Sequence, residues 1–316
     1  MPKKVLLFVI ILSTYLLLWP VPIDPVSWEA PKDQGFVGDF EQNTRLEAIE
    51  IINLPDTHGP EGLALKGSEI YAATREGWIV RYNEGTGEQI KWVNTEGSPL
   101  GLVFDKENNL LIADAYKGLL KVTPSGELSV LTRSVNGTDI DYADDLDITA
   151  DGKIYFSDAS TKFGAHMGGT YAASLLDTME HGGHGRLLVY DPIDESTKIL
   201  MDGLNFANGV AADANSEFIL VNETGGYRIH KYWLKGPKTG QSDVLIDNLP
   251  GFPDHIVRGR DGRFWVGLVS PRSKALDNLS SSPILRKVVQ RLPAFMRPQA
   301  VPYSHVFAMN GEGEVL

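Results

Sequence analysis

GPEGLAL (59–65), SPLGLVF (98–104), YADDLDI (142–148), FANGVAA (206–212) and FPDHIVR (252–258) are five versions of one phrase, a turn-like opening followed by an apolar run. After each comes a turn bearing Gly or Asn, then a second run: EIYAAT, NLLIAD, KIYFSD, EFILVN or RFWVGL. Short runs rich in β-branched and aromatic residues, bounded by turn residues, read as strands. A further hairpin follows most of them, as in GRLLVYDPIDESTKIL and YRIHKYWLKGPKTGQSDVLI, and no long segment of helical period intervenes before the 280s. Four strands joined by tight turns, repeating about every 40 residues, are the sequence signature of a propeller blade. The chain is therefore expected to be an all-β propeller.

The third position of the five phrases holds Glu61, Leu100, Asp144, Asn208 and Asp254. The longest interval, between Asp144 and Asn208, contains an insertion from Thr161 to Gly185. In a propeller the innermost strand of each blade lines the central channel, so one repeat position forms a ring. Taken singly, an Asp or Asn before a strand is an ordinary turn or cap residue. Four oxygen-bearing side chains in one register are a different matter, because carboxylates converging on a narrow axis repel one another unless a cation lies between them. Glu61, Asp144, Asn208 and Asp254 are accordingly predicted to hold a metal. Calcium suits oxygen donors in loose geometry; magnesium, stricter and fonder of water, ranks second.

Composition narrows the classes further. The 316 residues carry a net charge of -12, which argues against a nucleic-acid partner and leaves room for a cation. There is no Cys, which removes thiol nucleophiles, zinc-thiolate sites and disulfide scaffolds. No GxSxG elbow, phosphate loop or HExxH helix is present. At the N-terminus, Lys3 and Lys4 precede an uncharged run from Val5 to Ile23, close to the roughly 20 residues a membrane-spanning helix needs. PVPIDPVSWEAP, which follows, lacks a small-x-small cleavage site. Residues 1–35 are thus expected to form an uncleaved transmembrane signal-anchor with a stiff proline spacer, and 36–316 a single-pass protein's propeller on the non-cytoplasmic side, in periplasm, lumen or extracellular space. A second helix, SPILRKVVQRLPAFMRP (282–298), sets Ile284, Leu285, Val288, Val289 and Leu292 against Arg286, Lys287, Gln290 and Arg291. It reads as a membrane-surface helix, a lid, or a helix packed across the propeller face.

In this order, GPEGLAL, LLIADAYKGLLKV, DLDITADGKIYFSDAS, HGRLLVYDP, GLNFANGVA, NETGGYRIHKYWLKGPKTG and LPGFPDHI resemble the strictosidine synthase-like family over residues 36 to 316. More distantly the chain is similar to the paraoxonases and the gluconolactonase group. The resemblance implies six blades around an axial divalent metal, with Glu61, Asn208 and Asp254 as ligands. Asp144 stands where the family more often has Asn, and His255 where relatives often carry Asn. Since only five inner-strand phrases are visible, the resemblance implies that the last blade is incomplete, by roughly 40 residues. TRLEAIEIINL (44–54) is the expected closing strand. The glutamate that serves condensation in strictosidine synthases would fall in the absent part.

The chemistry expected is calcium-dependent hydrolysis of an ester or lactone, a small-molecule substrate. The cation would polarise the carbonyl while His255 or Asp145, each beside a ligand position, activates water. Condensation of an amine with an aldehyde, and a binding module without turnover, are the alternatives. His181 and His184, in HGGHG, are candidates for the mouth of the site. Asn136, Asn222 and Asn278 open Asn-x-Ser/Thr triplets.

Overall fold

The computed structural model describes residues 2–54 and 56–316. Helix α1 (Lys3–Leu18) leads into an extended segment built into the propeller rather than spaced away from it: Val26 N donates to Glu180 O at 2.9 Å, and Ile23 is buried. Five antiparallel sheets follow. The first is β1 (Leu63–Lys66), β2 (Glu69–Ala73), β3 (Trp78–Asn83) and β4 (Gln89–Asn94). The second is β5 (Pro99–Phe104), β6 (Leu110–Asp114), β7 (Gly118–Val122) and β8 (Leu128–Thr132), trailed by the small hairpin β9 (Ser134–Val135) and β10 (Thr138–Asp139).

In the third sheet, β11 (Ala143–Ile148) and β12 (Ile154–Asp158) are separated by an insertion from β13 (Gly185–Asp191) and β14 (Ser196–Leu204). That insertion carries helix α2 (Thr170–Glu180). The fourth is β15 (Ala207–Ala212), β16 (Phe218–Glu223), β17 (Arg228–Trp233) and β18 (Ser242–Ile246). The fifth sheet has three strands. They are β19 (Gly251–Arg258), β20 (Phe264–Pro271) and β21 (His305–Met309), with helices α3 (Lys274–Asn278) and α4 (Pro283–Gln290) between the last two. Inner strands β1, β5, β11, β15 and β19 pack side by side in that order.

The strand sequences explain this stacking. LLIAD in β6 is apolar without alternation, which suits a strand buried on both faces. Its Leu110 and Ile112 pack with Ala64 and Ile79 of the first sheet, while Leu111 and Ala113 pack with Leu146 and Phe156 of the third. The same exchange joins the third sheet to the fourth through Leu187 and Val221, and the fourth to the fifth through Leu220 and Val266. Each core lies between two blades, so blades stabilise one another and not themselves. A fully buried side chain such as Phe156 contributes about 1.5–3 kcal/mol on that account.

Several expectations are corrected. The chain forms a five-bladed all-β propeller, not six, because each of the five phrases starts one sheet and the described residues form no other blade. Residues 44–54 contain no strand, and Leu46, Ile49 and Ile51 stay exposed with no sheet face to bury them. No helix among the described residues is long and apolar enough to cross a membrane, which overturns the single-pass transmembrane anchor and the localisation built on it. The uncharged run is long enough on paper, but Pro20 disfavours helix at Trp19, which turns extended. The 16 residues that remain helical reach about 24 Å, against a hydrocarbon core of about 30 Å. Tyr15 OH donates to Arg291 O at 2.9 Å, tying this helix to the end of α4.

Helix α4 is rotated away from its pattern, although Val289 still packs on the core. Ile284 and Leu285 are 72% and 50% exposed, whereas Arg286 is fully buried. The Arg286 guanidinium donates to Met179 O at 3.0 Å, Glu180 O at 3.2 Å, Ser280 O at 3.0 Å and Val26 O. Glu180 O and Ser280 O also accept from Val26 N and Trp28 N, but Val26 O and Met179 O depend on the guanidinium, and this need outweighs covering Ile284 and Leu285. Replacing Arg286 with Ala strands Val26 O and Met179 O, and a loss of about 2–5 kcal/mol in urea unfolding is expected. Arg286→Lys should recover less than half of it, since one ammonium cannot serve the fork. A loss below about 1 kcal/mol in the Ala variant would show that the clamp adds no net stability.

Candidate metal centre and active site

The axial ends of the inner strands stand very close together. A Cβ on Gly209 would sit 2.5 Å from Asp254 O and from Ile256 N, and one on Gly62 would collide with the carbonyl of Leu100. Backbone therefore meets backbone between blades, and the residues beside these glycines, Glu61 and Asn208, are drawn to the axis. Ligand atoms of Glu61, Asp254 and His255 all lie within 4.8 Å of one another. Asn208 Nδ2 donates to Asp254 Oδ1 at 2.8 Å. Asn222 Nδ2 donates to Asp254 O at 2.7 Å and Thr224 Oγ1 to Pro253 O at 2.6 Å, fixing the backbone that carries the carboxylate. Asp144 lies outside the tight cluster but borders the same cavity. Leu100, the fifth residue of the register, is buried among apolar neighbours.

The polar atoms left over are informative. Asp144 Oδ1, Asn208 Oδ1, Asn222 Oδ1 and His255 Nε2 are buried without a hydrogen-bond partner, which is costly in a folded protein unless something else satisfies them. Burial, with the charges of Glu61 and Asp254, drives the Asp144 carboxyl well above the usual range. Glu61 faces solvent through the cavity but is otherwise hemmed in, and burial together with Asp254 pushes it up to about 7. Burial opposes the charging of both members of the adjacent pair. Even so, His255 Nδ1, 3.6 Å from Asp254 Oδ2, is raised by the carboxylates of Asp254, Asp145 and Glu61, and Asp254 is lowered in return. Hard oxygen donors, mutual repulsion and unsatisfied lone pairs fit a bound divalent cation.

Asp145 has another occupation. It holds the repeat position taken by Gly62 and Gly209 in their blades, and turns its carboxylate to the neighbouring blade. Oδ2 accepts from Val210 N at 2.9 Å and Oδ1 from Leu146 N at 2.9 Å. Asp147 repeats the contact two residues on, accepting from Ala212 N at 2.8 Å. Burial raises Asp145 to about 6, while His255 pulls it down. His255 holds the same repeat position in the last blade and backs Asp254 without lining the cavity.

Above the ring opens a cavity of about 780 Å³. Glu61, Asp144, Asn208 and Asp254 form its floor, and Phe206, Phe252, Leu176, Met179 and Leu276 much of its wall. Helix α2, which supplies part of that wall, escaped the sequence reading because its inward face includes Asp177 and Glu180 and so lacks an apolar period. Asn222 and Thr224 were missed as well. Their signal is the NETGG phrase at the end of the second strand and not the start of the first. His181 and His184 do not line the cavity: His181 stacks on Trp28, ring centroids 3.9 Å apart, and His184 Nε2 lies 2.7 Å from Glu180 Oε1. Of the three Asn triplets, that of Asn222 is fully buried, while Asn136 and Asn278 are exposed.

Residues 38–82 match the family described as strictosidine synthase-like, N-terminal, and residues 144–237 match strictosidine synthase. The adipocyte plasma membrane-associated protein of Bos taurus is 35% identical over 297 residues, covering 88% of this chain and 71% of that protein. Among solved structures, a gluconolactonase from Xanthomonas campestris superposes with a TM-score of 0.59 at 15% identity, over 81% of this chain and 74% of that one. A calcium-binding protein, regucalcin, from Agrobacterium tumefaciens gives 0.51 at 15% identity, over 66% and 67%. At such identities the likeness to these structures establishes the fold.

The raised Glu61 carboxyl sets a pH dependence. Without metal, folded protein keeps that proton up to about pH 7, whereas an unfolded glutamate releases it near 4.5. The folded form binds the extra proton between these values, so metal-free stability falls as pH rises through that window. Melting temperature in chelator is expected to drop from pH 5 to pH 7.5, and 1 mM calcium to raise it more at pH 7.5. An equal calcium effect at both values would contradict this.

Proposed function

The chain belongs to the strictosidine synthase-like family, and we propose that it hydrolyses esters or lactones at the floor of the cavity, with calcium held by Glu61, Asp144, Asn208 and Asp254. Magnesium is the second choice, since it demands stricter geometry than this oxygen set needs. The observation that carries the reading is the meeting of Glu61, Asp254 and His255 within 4.8 Å beneath a largely apolar cavity, beside unpartnered oxygens of Asp144 and Asn208. When bound, such a cation draws electron density from a substrate carbonyl and steadies the negative charge that collects on its oxygen.

The protein's own groups supply the rest. Apolar walls exclude bulk water and hold the substrate body, which strengthens electrostatic interactions at the floor. Asp254, its carboxylate kept ionised by the charged His255 beside it, receives the proton that an attacking water loses. It returns that proton to the departing alkoxide, so that acid and alcohol, or hydroxy acid from a lactone, leave without net change in the enzyme. Asp254 borders the cavity; His255 acts through it as a positioning residue. Asn208 and Asn222 hold Asp254 from opposite sides, one at the carboxylate and one at the main-chain carbonyl.

Purified protein should hydrolyse phenyl acetate or a simple δ-lactone in the presence of calcium and lose that activity in chelator. Asp254→Ala is expected to reduce kcat/KM at least about 100-fold and to weaken calcium retention. His255→Gln should lower kcat by about 100-fold or more while leaving KM and bound calcium near their original values. A purely structural role for His255 would instead move calcium content or melting temperature. Undiminished turnover in chelator, or in Asp254→Ala, removes the proposal and leaves the propeller as a docking module.

A further inference from the structure

Resting on the hydrolase reading for the floor chemistry, we infer that the substrate is an amphiphile: an apolar ester or lactone whose far end carries a carboxylate or similar anion, received by Lys274 and Arg297. The volume, about 780 Å³, is that of a small-molecule site, so one ligand can span from floor to mouth. Apart from Thr170, Thr178 and Gln290, the wall gives a polyhydroxylated substrate few partners. Ser174 bonds Tyr171 O, Thr224 bonds Pro253 O, Ser270 bonds Pro271 O and Gln299 bonds Ala294 O, so these polar side chains already serve the main chain.

Three cations border the cavity. Arg272 is committed, bonding Asp277, Asn248 and Pro31 O and stacking on Tyr227. Lys274, exposed at the start of α3, and Arg297, half-buried, pair with no carboxylate among the described residues. Arg297 gives only Nε to Leu292 O, at 2.7 Å. In a chain of net charge -12, two uncommitted cations on a cavity with a carboxylate floor separate the site electrically. Three carboxylates outnumber the charge of one divalent cation, so the occupied floor stays negative and an anionic end is favoured at Lys274 and Arg297, where ammonium and guanidinium donate charge-assisted hydrogen bonds. The scissile carbonyl, at the other end, is thereby pointed toward the axis.

Calorimetric titration of the calcium-loaded full chain with sodium decanoate, decanol and sodium gluconate tests this apart from turnover. Decanoate should bind at least tenfold more tightly than decanol, with gluconate weakest, and added salt should erode the decanoate advantage. The double variant Lys274→Met/Arg297→Met should bring decanoate down to the level of decanol. Equal affinities for decanoate and decanol, tightest binding of gluconate, or an unchanged ratio in the double variant would each overturn the inference. Phenyl acetate hydrolysis with no decanoate preference sinks this inference alone. A decanoate preference with no hydrolysis of any ester supports the anion-receiving mouth and sinks only the hydrolase reading.

Discussion

Neighbouring inner strands approach so closely at the axis that a methyl group does not fit between some of them. At Gly209 the adjoining backbone of Asp254 and Ile256 fills the place of a Cβ, and at Gly62 the carbonyl of Leu100 does so. With the strands that near, the oxygen atoms beside the glycines have nowhere to disperse. Crowding follows, and with it the raised carboxyls of Glu61 and Asp144 and the tight pairing of Asp254 with His255. The site is thus a product of how the blades are spaced. Its charge problem is set by backbone geometry before any side chain is chosen.

Those features that depend on register were legible in the sequence. Five phrases with a common third position locate Glu61, Asp144, Asn208 and Asp254, because a period-2 strand fixes which residues face the channel once the phrase is aligned. The all-β class followed from runs such as LLIAD, apolar on both faces because each blade is sandwiched between two others. The five phrases also matched the five blades. Family resemblance pointed to six, and the described residues form five.

Partners across the fold were not legible. Asp144 and Asp145 are neighbours of identical type. One borders the cavity; the other is consumed by the amides of Leu146 and Val210, and the latter lies 65 residues away. His255 follows a predicted ligand, yet it reaches the cavity only through Asp254. Helix α4 shows the same limit at the level of a whole element. Its amphipathic pattern is real, but Arg286 faces inward, because carbonyls from three other segments converge there, those of Val26 and Met179 with no other donor among the described residues. Hydrophobic periodicity reports which side differs, and not which side is covered.

Arg286 joins Val26, the end of α2 and Ser280, and this has a bearing on how the molecule is made. A ribosome delivers Val26 some 260 residues before the arginine that grips it. Until then the early extended segment is held only through Glu180 and His181, while the first blades already have neighbours to stack on. The order of assembly is written into these contacts: the part synthesised first is secured in two stages, by Glu180 and then by Arg286.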